Sequence, residues 1–118
     1  MTIKSEEFIS SARLLVQNIG EINYRNAASR AYYSGYHCAL PIANNIGIPA
    51  DAGGNHASLI AAFEKERKLD YKKIGYMLRQ CFQIRVKADY QIDENFELGS
   101  AETAIEQIDK IIDLLKKL

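Results

Sequence analysis

One arginine of the sequence lies where the pattern of its segment predicts a core residue. Arg85 falls at a regular step within a series of apolar residues that keeps one face of a helix. The series is Ile74, Leu78, Cys81 and Ala88. A guanidinium removed from water is costly unless an anion or an acceptor pairs with it. Its planar fork also suits a phosphate, because it makes two charge-assisted hydrogen bonds at once. Arg85 is therefore a candidate site residue.

Three polar residues follow Arg85 on the same predicted helix. Asp89 lies four residues after it, within pairing distance on one helix face. This pair has two interpretations: it fixes the register of a bundle, or it holds Arg85 for a ligand. Tyr90 could hydrogen-bond a phosphate or a ribose, and Lys87 could add a second positive contact from the rim.

A second polar face is predicted on an earlier helix. Its residues recur at steps of four, three and four, and they are Asn26, Arg30, Tyr33 and His37. We expect this face to meet Arg85 and Asp89 and to contribute to substrate binding. The neighbouring tyrosines could stack on bases. In the alternative interpretation, the tyrosines and the histidine satisfy each other at the edge of a core.

The remaining histidine and the two cysteines carry less information. His56 lies at a predicted helix start, where it could cap the helix or serve a function. Cys38 and Cys81 fall inside predicted helices without a CxxC spacing, which favours reduced thiols. No His, Cys or Asp cluster has the spacing of a metal site, so neither a metal nor another cofactor is predicted.

The elements that must position these residues are all predicted to be helices. Apolar periodicity and stop signals predict a single domain over residues 1–118, an up-and-down antiparallel bundle of four long helices and one short one. The predicted helices are about Ser5–Ile19, Asn23–Ile46, Asn55–Arg67 and Asp70–Ile92, and a last one from the cap Ser100 to the lysines at 116 and 117. Asn55 and Asp70 are also predicted caps, and residues 47–54 form the one clear loop.

Composition limits the setting in which this bundle works. The chain has 118 residues, 47% apolar and 25% charged, which is typical of a globular domain. Fifteen basic and 15 acidic residues balance, so nucleic-acid binding would need a local positive patch. No run approaches the roughly 20 apolar residues of a membrane span. The polar N-terminus lacks the layout of a signal peptide, so we expect a cytoplasmic protein with no membrane contact.

Three segments together resemble a known family. Residues 24–39 (YRNAASRAYYSGYHCA) resemble the second-helix signature of the HEPN domain family, and residues 56–63 (HASLIAAF) resemble its next helix. Residues 85–90 (RVKADY) resemble the Arg-x-x-Ala-Asp-Tyr signature of its small prokaryotic members. Their order and spacing agree over nearly the whole chain.

The resemblance implies a helical bundle that forms a homodimer. Many members of the family are metal-independent ribonucleases, often toxins encoded beside a nucleotidyltransferase-type antitoxin, and others bind RNA or nucleotides without catalysis. The nuclease motif is an arginine followed, after four to six residues, by a histidine. Here Tyr90 takes the place of that histidine after Arg85. A tyrosine with an ordinary pKa of about 10 is a poor general base. Arg30 and His37 fit the spacing, but on the wrong helix.

Three functional hypotheses follow from the residues and the resemblance. The first is an RNA- or nucleotide-binding module of a toxin–antitoxin or defence-type system that acts with a nucleotidyltransferase-type partner. The second is an active metal-independent endoribonuclease toxin with Arg85 and Tyr90 as its catalytic residues. The third is a bundle that serves only protein interaction.

Overall fold

The computed structural model describes residues 2–46 and 56–118, most of which lie in five α-helices. The helices are α1 (Glu7–Leu15), α2 (Glu21–Asn45), α3 (His56–Glu64), α4 (Leu69–Tyr90) and α5 (Leu98–Lys116). These ranges contain no strand, which confirms the predicted all-α class. None of the helices is both long and apolar enough to cross a membrane. The predicted loop at 47–54 and the predicted cap Asn55 lie outside the described residues.

The first helix is shorter than the sequence pattern predicts. α1 ends at Leu15 rather than at Ile19, because the following residues tighten into bonds that span three residues. The amide of Gln17 donates to the carbonyl of Leu14 at 3.2 Å, and the amide of Asn18 donates to that of Leu15 at 3.1 Å. Within the described residues, three helices are therefore long and two are short, where four long helices and one short one were predicted.

Two of the predicted caps are also displaced. Lys68 and Glu97, both in extended backbone conformation, occupy the N-cap positions of α4 and α5 without a side-chain cap hydrogen bond. Asp70 and Ser100 lie inside the first turns of these helices instead. The carboxylate of Asp70 still lies at the positive end of the helix dipole, which explains why an acidic residue suits this position.

The long helices are antiparallel along the chain, as predicted. Late α2 meets the start of α1, where Cys38 Sγ donates to Ser5 Oγ at 3.1 Å. Early α2 instead meets the end of α4, where Arg25 Nη1 donates to the Ala88 carbonyl at 2.9 Å. α2 therefore runs against both α1 and α4, and its middle faces the middle of α4.

Small side chains let α2 pack tightly against its neighbours. A Cβ atom at Gly35 would lie 2.6 Å from Cδ1 of Ile108 on α5, so only glycine fits there without a shift. Five alanines of α2 are completely buried: Ala27, Ala28, Ala31, Ala39 and Ala43. This packing fixes the rotation of α2 and so holds its tyrosine-bearing face toward α3 and α4.

Candidate phosphate-binding site

The predicted Arg85–Asp89 pair is present and joins α4 to α2. Arg85 Nε donates to Asp89 Oδ2 at 2.9 Å, and only 11% of the Arg85 side chain is exposed. The hydroxyl of Ser29 on α2 donates to the same carboxylate oxygen at 3.1 Å. The carboxylate thus compensates a guanidinium that is held largely out of water and fixes its orientation.

Tyr33 is the point at which the second polar face meets Arg85. Its hydroxyl accepts a hydrogen bond from Arg85 Nη2 at 2.8 Å. The guanidinium carbon of Arg85 lies 5.2 Å from the centre of the Tyr33 ring, and that of Arg30 lies 5.3 Å from it. Both distances are within the range of cation–π attraction. Two guanidinium groups therefore share one ring, whereas within the described chain only Arg85 pairs with a carboxylate, that of Asp89. This makes a local positive patch on a neutral chain.

His56 enters the site from the start of α3 and contacts the tyrosines of α2. Its Nδ1 lies 2.8 Å from the Tyr32 hydroxyl, and its ring centre lies 4.6 Å from that of Tyr36 and 5.9 Å from that of Tyr33. Burial lowers the pKa of His56, and the positive charge of Arg85 lowers it further. His56 is therefore a neutral imidazole at pH 7, held beside the positive patch.

Two of the tyrosines around His56, Tyr32 and Tyr36, stay protonated. Burial raises the pKa of Tyr32 well above its ordinary value, and burial also raises that of Tyr36. Their hydroxyls can donate or accept hydrogen bonds but cannot supply a phenolate base.

His37 lies on the other side of Tyr33 and is exposed. Its ring stacks on Phe8 of α1 at a centroid distance of 5.3 Å and lies 6.1 Å from the ring of Tyr33. The guanidinium of Arg30 also lies 5.7 Å from the centre of the Phe8 ring. We call the whole group the Tyr33 cluster; its members are Arg30, Tyr33, His37, His56, Arg85 and Asp89.

Three other predicted site residues occupy the rim or lie apart. Tyr90 is 67% exposed, and the centre of its ring is 5.4 Å from the guanidinium carbon of Arg85. Lys87 lines a groove on the opposite side of α4. Asn26 is exposed, and within the described chain its side chain makes no hydrogen bond to Arg85 or Asp89. The expectation that Arg85 meets Asn26 is replaced by its bond to Tyr33, two helical turns farther along α2.

A second buried arginine was not identified from the sequence. Arg25 is 6% exposed, and its guanidinium donates to four carbonyl groups at the end of α4 and in the turn that follows. These carbonyls belong to Lys87, Ala88, Gln91 and Glu94. A cation at the C-terminus of a helix also stabilises the helix dipole. Arg25 therefore anchors the segment that carries Asp89 and Tyr90.

Arg25 and Ser29 belong to one series of residues that recurs at helical spacing along α2. Arg25, Ser29, Tyr32 and Tyr36 recur at steps of four, three and four, and all four are buried. This series is a second face of α2, beside the polar face that carries Arg30, Tyr33 and His37. His56 lacked such a signal, because its neighbours in space lie on other helices.

Within residues 2–46 and 56–118, no group of three or more His, Cys, Asp or Glu side chains could hold a metal ion.

Comparison with known proteins agrees with the bundle and the sequence signatures. A model of the HEPN domain matches residues 2–118. The chain belongs to the HEPN domain family. A relative from Methanocaldococcus jannaschii named "Putative toxin MJ0605" is 30% identical over 115 residues, covering 96% of this chain and 81% of the relative. No solved structure matches the chain.

In this HEPN chain, the imidazoles nearest Arg85 come from other helices than its own. Tyr90 stands where the resemblance placed a motif histidine, whereas α2 supplies His37 and α3 supplies His56. The cluster therefore contains both imidazole and guanidinium groups despite the departure from the expected motif.

We predict that the domain becomes less stable as the pH falls below about 6.5. The folded state lowers the pKa of His56, so the unfolded chain takes up a proton first as the pH falls through the ordinary histidine value. Proton uptake by the unfolded state lowers the free energy of unfolding until the pH reaches the lowered pKa of the folded protein. Urea unfolding at pH 7.5 and pH 5.5 should show this loss, and His56→Gln should reduce it.

An exposed glutamine after α1 provides the control for this measurement. Gln17→Ala should retain the pH dependence of the wild type. An equal loss of stability in His56→Gln and wild type would show that His56 is not the group responsible.

Proposed function

We propose that this HEPN domain binds RNA, and that Arg85 and Arg30 hold a backbone phosphate at the Tyr33 cluster. The observation that carries the proposal is the pair of guanidinium groups on one tyrosine ring, at 5.2 and 5.3 Å from its centre, in a chain with no net charge. Such a patch attracts a polyanion locally, where the rest of the surface offers no excess of positive charge.

The hydrogen bonds of Arg85 leave it donors for a ligand. A guanidinium has five N–H donors, and in the described chain Arg85 uses Nε for Asp89 and Nη2 for Tyr33. Because these two bonds fix the plane of the group, the remaining N–H groups are presented to a phosphate without further ordering. Asp89 thus acts as a positioning residue in this proposal, and Arg85 as the residue that contacts the ligand.

Aromatic groups around the patch can hold the bases of the strand. Tyr90 and His37 are both exposed and lie on either side of the two guanidinium groups. A base that stacks on an exposed ring gains about 1–3 kcal/mol without reading its sequence. The combination of phosphate contacts and stacking favours single-stranded over double-stranded RNA.

The biological setting that we propose is a toxin–antitoxin pair. The support is the family and the relative named as a toxin. In this proposal the domain is a homodimer and acts with a nucleotidyltransferase-type antitoxin. Co-purification of the two proteins from their native host would test the partner, and light scattering of the domain at tens of micromolar would test the dimer.

We predict that Arg85→Lys weakens RNA binding about tenfold or more. Lysine keeps the charge but loses the fork, and one charge-assisted hydrogen bond contributes about 1.5–3 kcal/mol. Fluorescence anisotropy with a labelled single-stranded RNA in EDTA measures the change. Arg79→Lys is the matched control, because Arg79 also lies on α4 and pairs with a carboxylate, Glu64, at 2.7 Å. Equal affinity of the two variants for RNA would contradict the proposal.

A second candidate function is metal-independent RNA cleavage, which the two imidazoles near Tyr33 favour. The rings of His37 and His56 lie 6.1 and 5.9 Å from the Tyr33 ring. One imidazole would remove the proton of a 2′-hydroxyl, whose oxygen then bonds to phosphorus. The bond from phosphorus to the 5′-oxygen breaks, and the other imidazole protonates that oxygen, leaving a cyclic phosphate and a 5′-hydroxyl.

The same binding samples separate the candidates when RNA integrity is also scored. Cleavage in EDTA that is lost in His37→Ala or His56→Ala favours the ribonuclease. Binding without cleavage favours the non-catalytic module. Wild-type protein that neither binds nor cuts RNA, with and without its partner, would leave the protein-interaction hypothesis.

A further inference from the structure

A groove lies between α4 and α5, on the other side of α4 from the Tyr33 cluster. Its volume is about 460 Å³. Its wall is formed by Ile84, by the carbon chains of neighbouring residues and by six polar side chains, which are Gln80, Gln83, Lys87, Ser100, Thr103 and Gln107. We call it the amide groove. Its lining contains no carboxylate, and its one charge is positive.

The amides of this groove are not used to hold the fold together. Within the described chain, Gln80, Gln83 and Gln107 make no side-chain hydrogen bond, whereas the buried polar side-chain atoms of the described chain all have partners. Three primary amides therefore line one groove without a partner in the described chain. Such a lining suits a ligand that carries donors and acceptors side by side and is not itself a cation.

A nucleotide has this chemistry at each of its parts. A glutamine can donate and accept at once, which matches the adjacent donor and acceptor on the edge of a base such as adenine. The hydroxyls of Ser100 and Thr103 can bond a ribose 2′-hydroxyl. The ammonium of Lys87 can take the phosphate, because no carboxylate of the lining competes for it.

The helical geometry of α4 connects the amide groove with the Tyr33 cluster. At about 100° per residue, Tyr90 lies about 140° around the helix from Arg85, and Gln83 and Lys87 follow at about 160° and 200°. A helix is about 10 Å across with its side chains, so half of its circumference is about 16 Å. A few nucleotides of an extended strand cover this distance, passing over the exposed ring of Tyr90.

We propose that the amide groove is a second nucleotide subsite, which takes the base and ribose of the RNA strand whose phosphate is held at Arg85. This inference rests on the proposed RNA binding and adds the path of the strand: from Arg85, over Tyr90, to Lys87 and the glutamines. It also assigns base preference to the glutamines, since the contacts at Arg85 are to the backbone.

The test compares long and short RNA in the double variant Gln83→Ala/Gln107→Ala. Anisotropy with labelled homopolymers of about eight nucleotides measures the full path, and a labelled dinucleotide measures the Arg85 site alone. We expect the double variant to lose about fivefold or more in affinity for at least one long homopolymer. Its affinities for the different homopolymers should be more nearly equal than those of the wild type. Its affinity for the dinucleotide should match that of the wild type. Gln17→Ala, at an exposed glutamine outside the groove, should change none of these values.

The outcomes separate this inference from the proposed function. Loss of affinity in Arg85→Lys but none in the groove variant overturns the groove subsite alone. Loss in the groove variant but none in Arg85→Lys overturns both the Arg85 phosphate site and the strand path that begins there. A groove variant that dissociates an oligomer in light scattering, with unchanged RNA affinity, shows a protein interface instead. Wild-type protein that binds no RNA overturns both.

Discussion

Replacement of Arg25 by methionine should lower the free energy of unfolding by about 3–5 kcal/mol, a large part of the stability of a domain of this size. The Arg25 guanidinium is buried and satisfies the carbonyls of Lys87, Ala88, Gln91 and Glu94. Methionine fills similar space but donates no hydrogen bond. The carbonyls at the end of α4 would then lose a charged partner, each at a cost of about 1–3 kcal/mol where water cannot replace it.

The surroundings of Arg25 explain why the loss should exceed that of an ordinary ion pair. The guanidinium carbon lies 5.5 Å from the centre of the Phe96 ring, and Glu21 reaches both Arg25, at 3.8 Å, and the amide of Phe96, at 2.6 Å. The side chain therefore joins the start of α2, the end of α4 and the segment before α5. Its removal loosens three elements together rather than one contact.

A second arginine provides the control for the Arg25 prediction. Arg13 on α1 pairs with Asp109 on α5, and nearly half of each side chain is exposed. Arg13→Met should cost less than about 1 kcal/mol, because a solvent-exposed ion pair contributes little. Urea unfolding of the two variants measures the difference. Equal losses would show that the carbonyl contacts of Arg25 do not stabilise the fold.

Periodicity predicted the all-α class and the Arg85–Asp89 pair because both depend on residues close in sequence. A helix repeats every 3.6 residues, and Asp89 lies one turn after Arg85. The acceptors of Arg25 lie more than sixty residues away, at the end of another helix. No local pattern specifies that contact, so the partners of Arg25 could not be predicted from the sequence.

The role of His56 depended on tertiary structure in the same way. In sequence it is one histidine at a helix start, with several equivalent interpretations. In the fold, its ring meets tyrosines twenty or more residues earlier on α2 and Phe82 on α4, at a centroid distance of 5.4 Å. The tight packing of three helices creates this environment, and its effect on the pKa of His56 follows from burial and from Arg85.

The placement of His56 relies on how closely α3 approaches α4, and a glycine permits that approach. A Cβ atom at Gly75 would lie 2.8 Å from the backbone nitrogen of Glu64 and 3.0 Å from Cβ of Phe63. Neither atom can move as freely as the end of a flexible side chain. Any larger residue at position 75 must therefore push α3 away from α4.

We predict that Gly75→Ala lowers the free energy of unfolding by about 2–3 kcal/mol, although alanine is the better helix former, because overpacking outweighs the propensity gain of about 1 kcal/mol. Gly99→Ala is the matched control: it also lies in a helix, but nothing lies within 4 Å of its added Cβ, so a gain of about 0.4–1 kcal/mol is expected. Urea unfolding measures whether each substitution raises or lowers the free energy of unfolding.

A displaced α3 would also move His56 away from Tyr32, so Gly75→Ala should weaken the pH dependence assigned to His56. Stabilisation by both alanines would show that α3 and α4 do not pack this closely in solution.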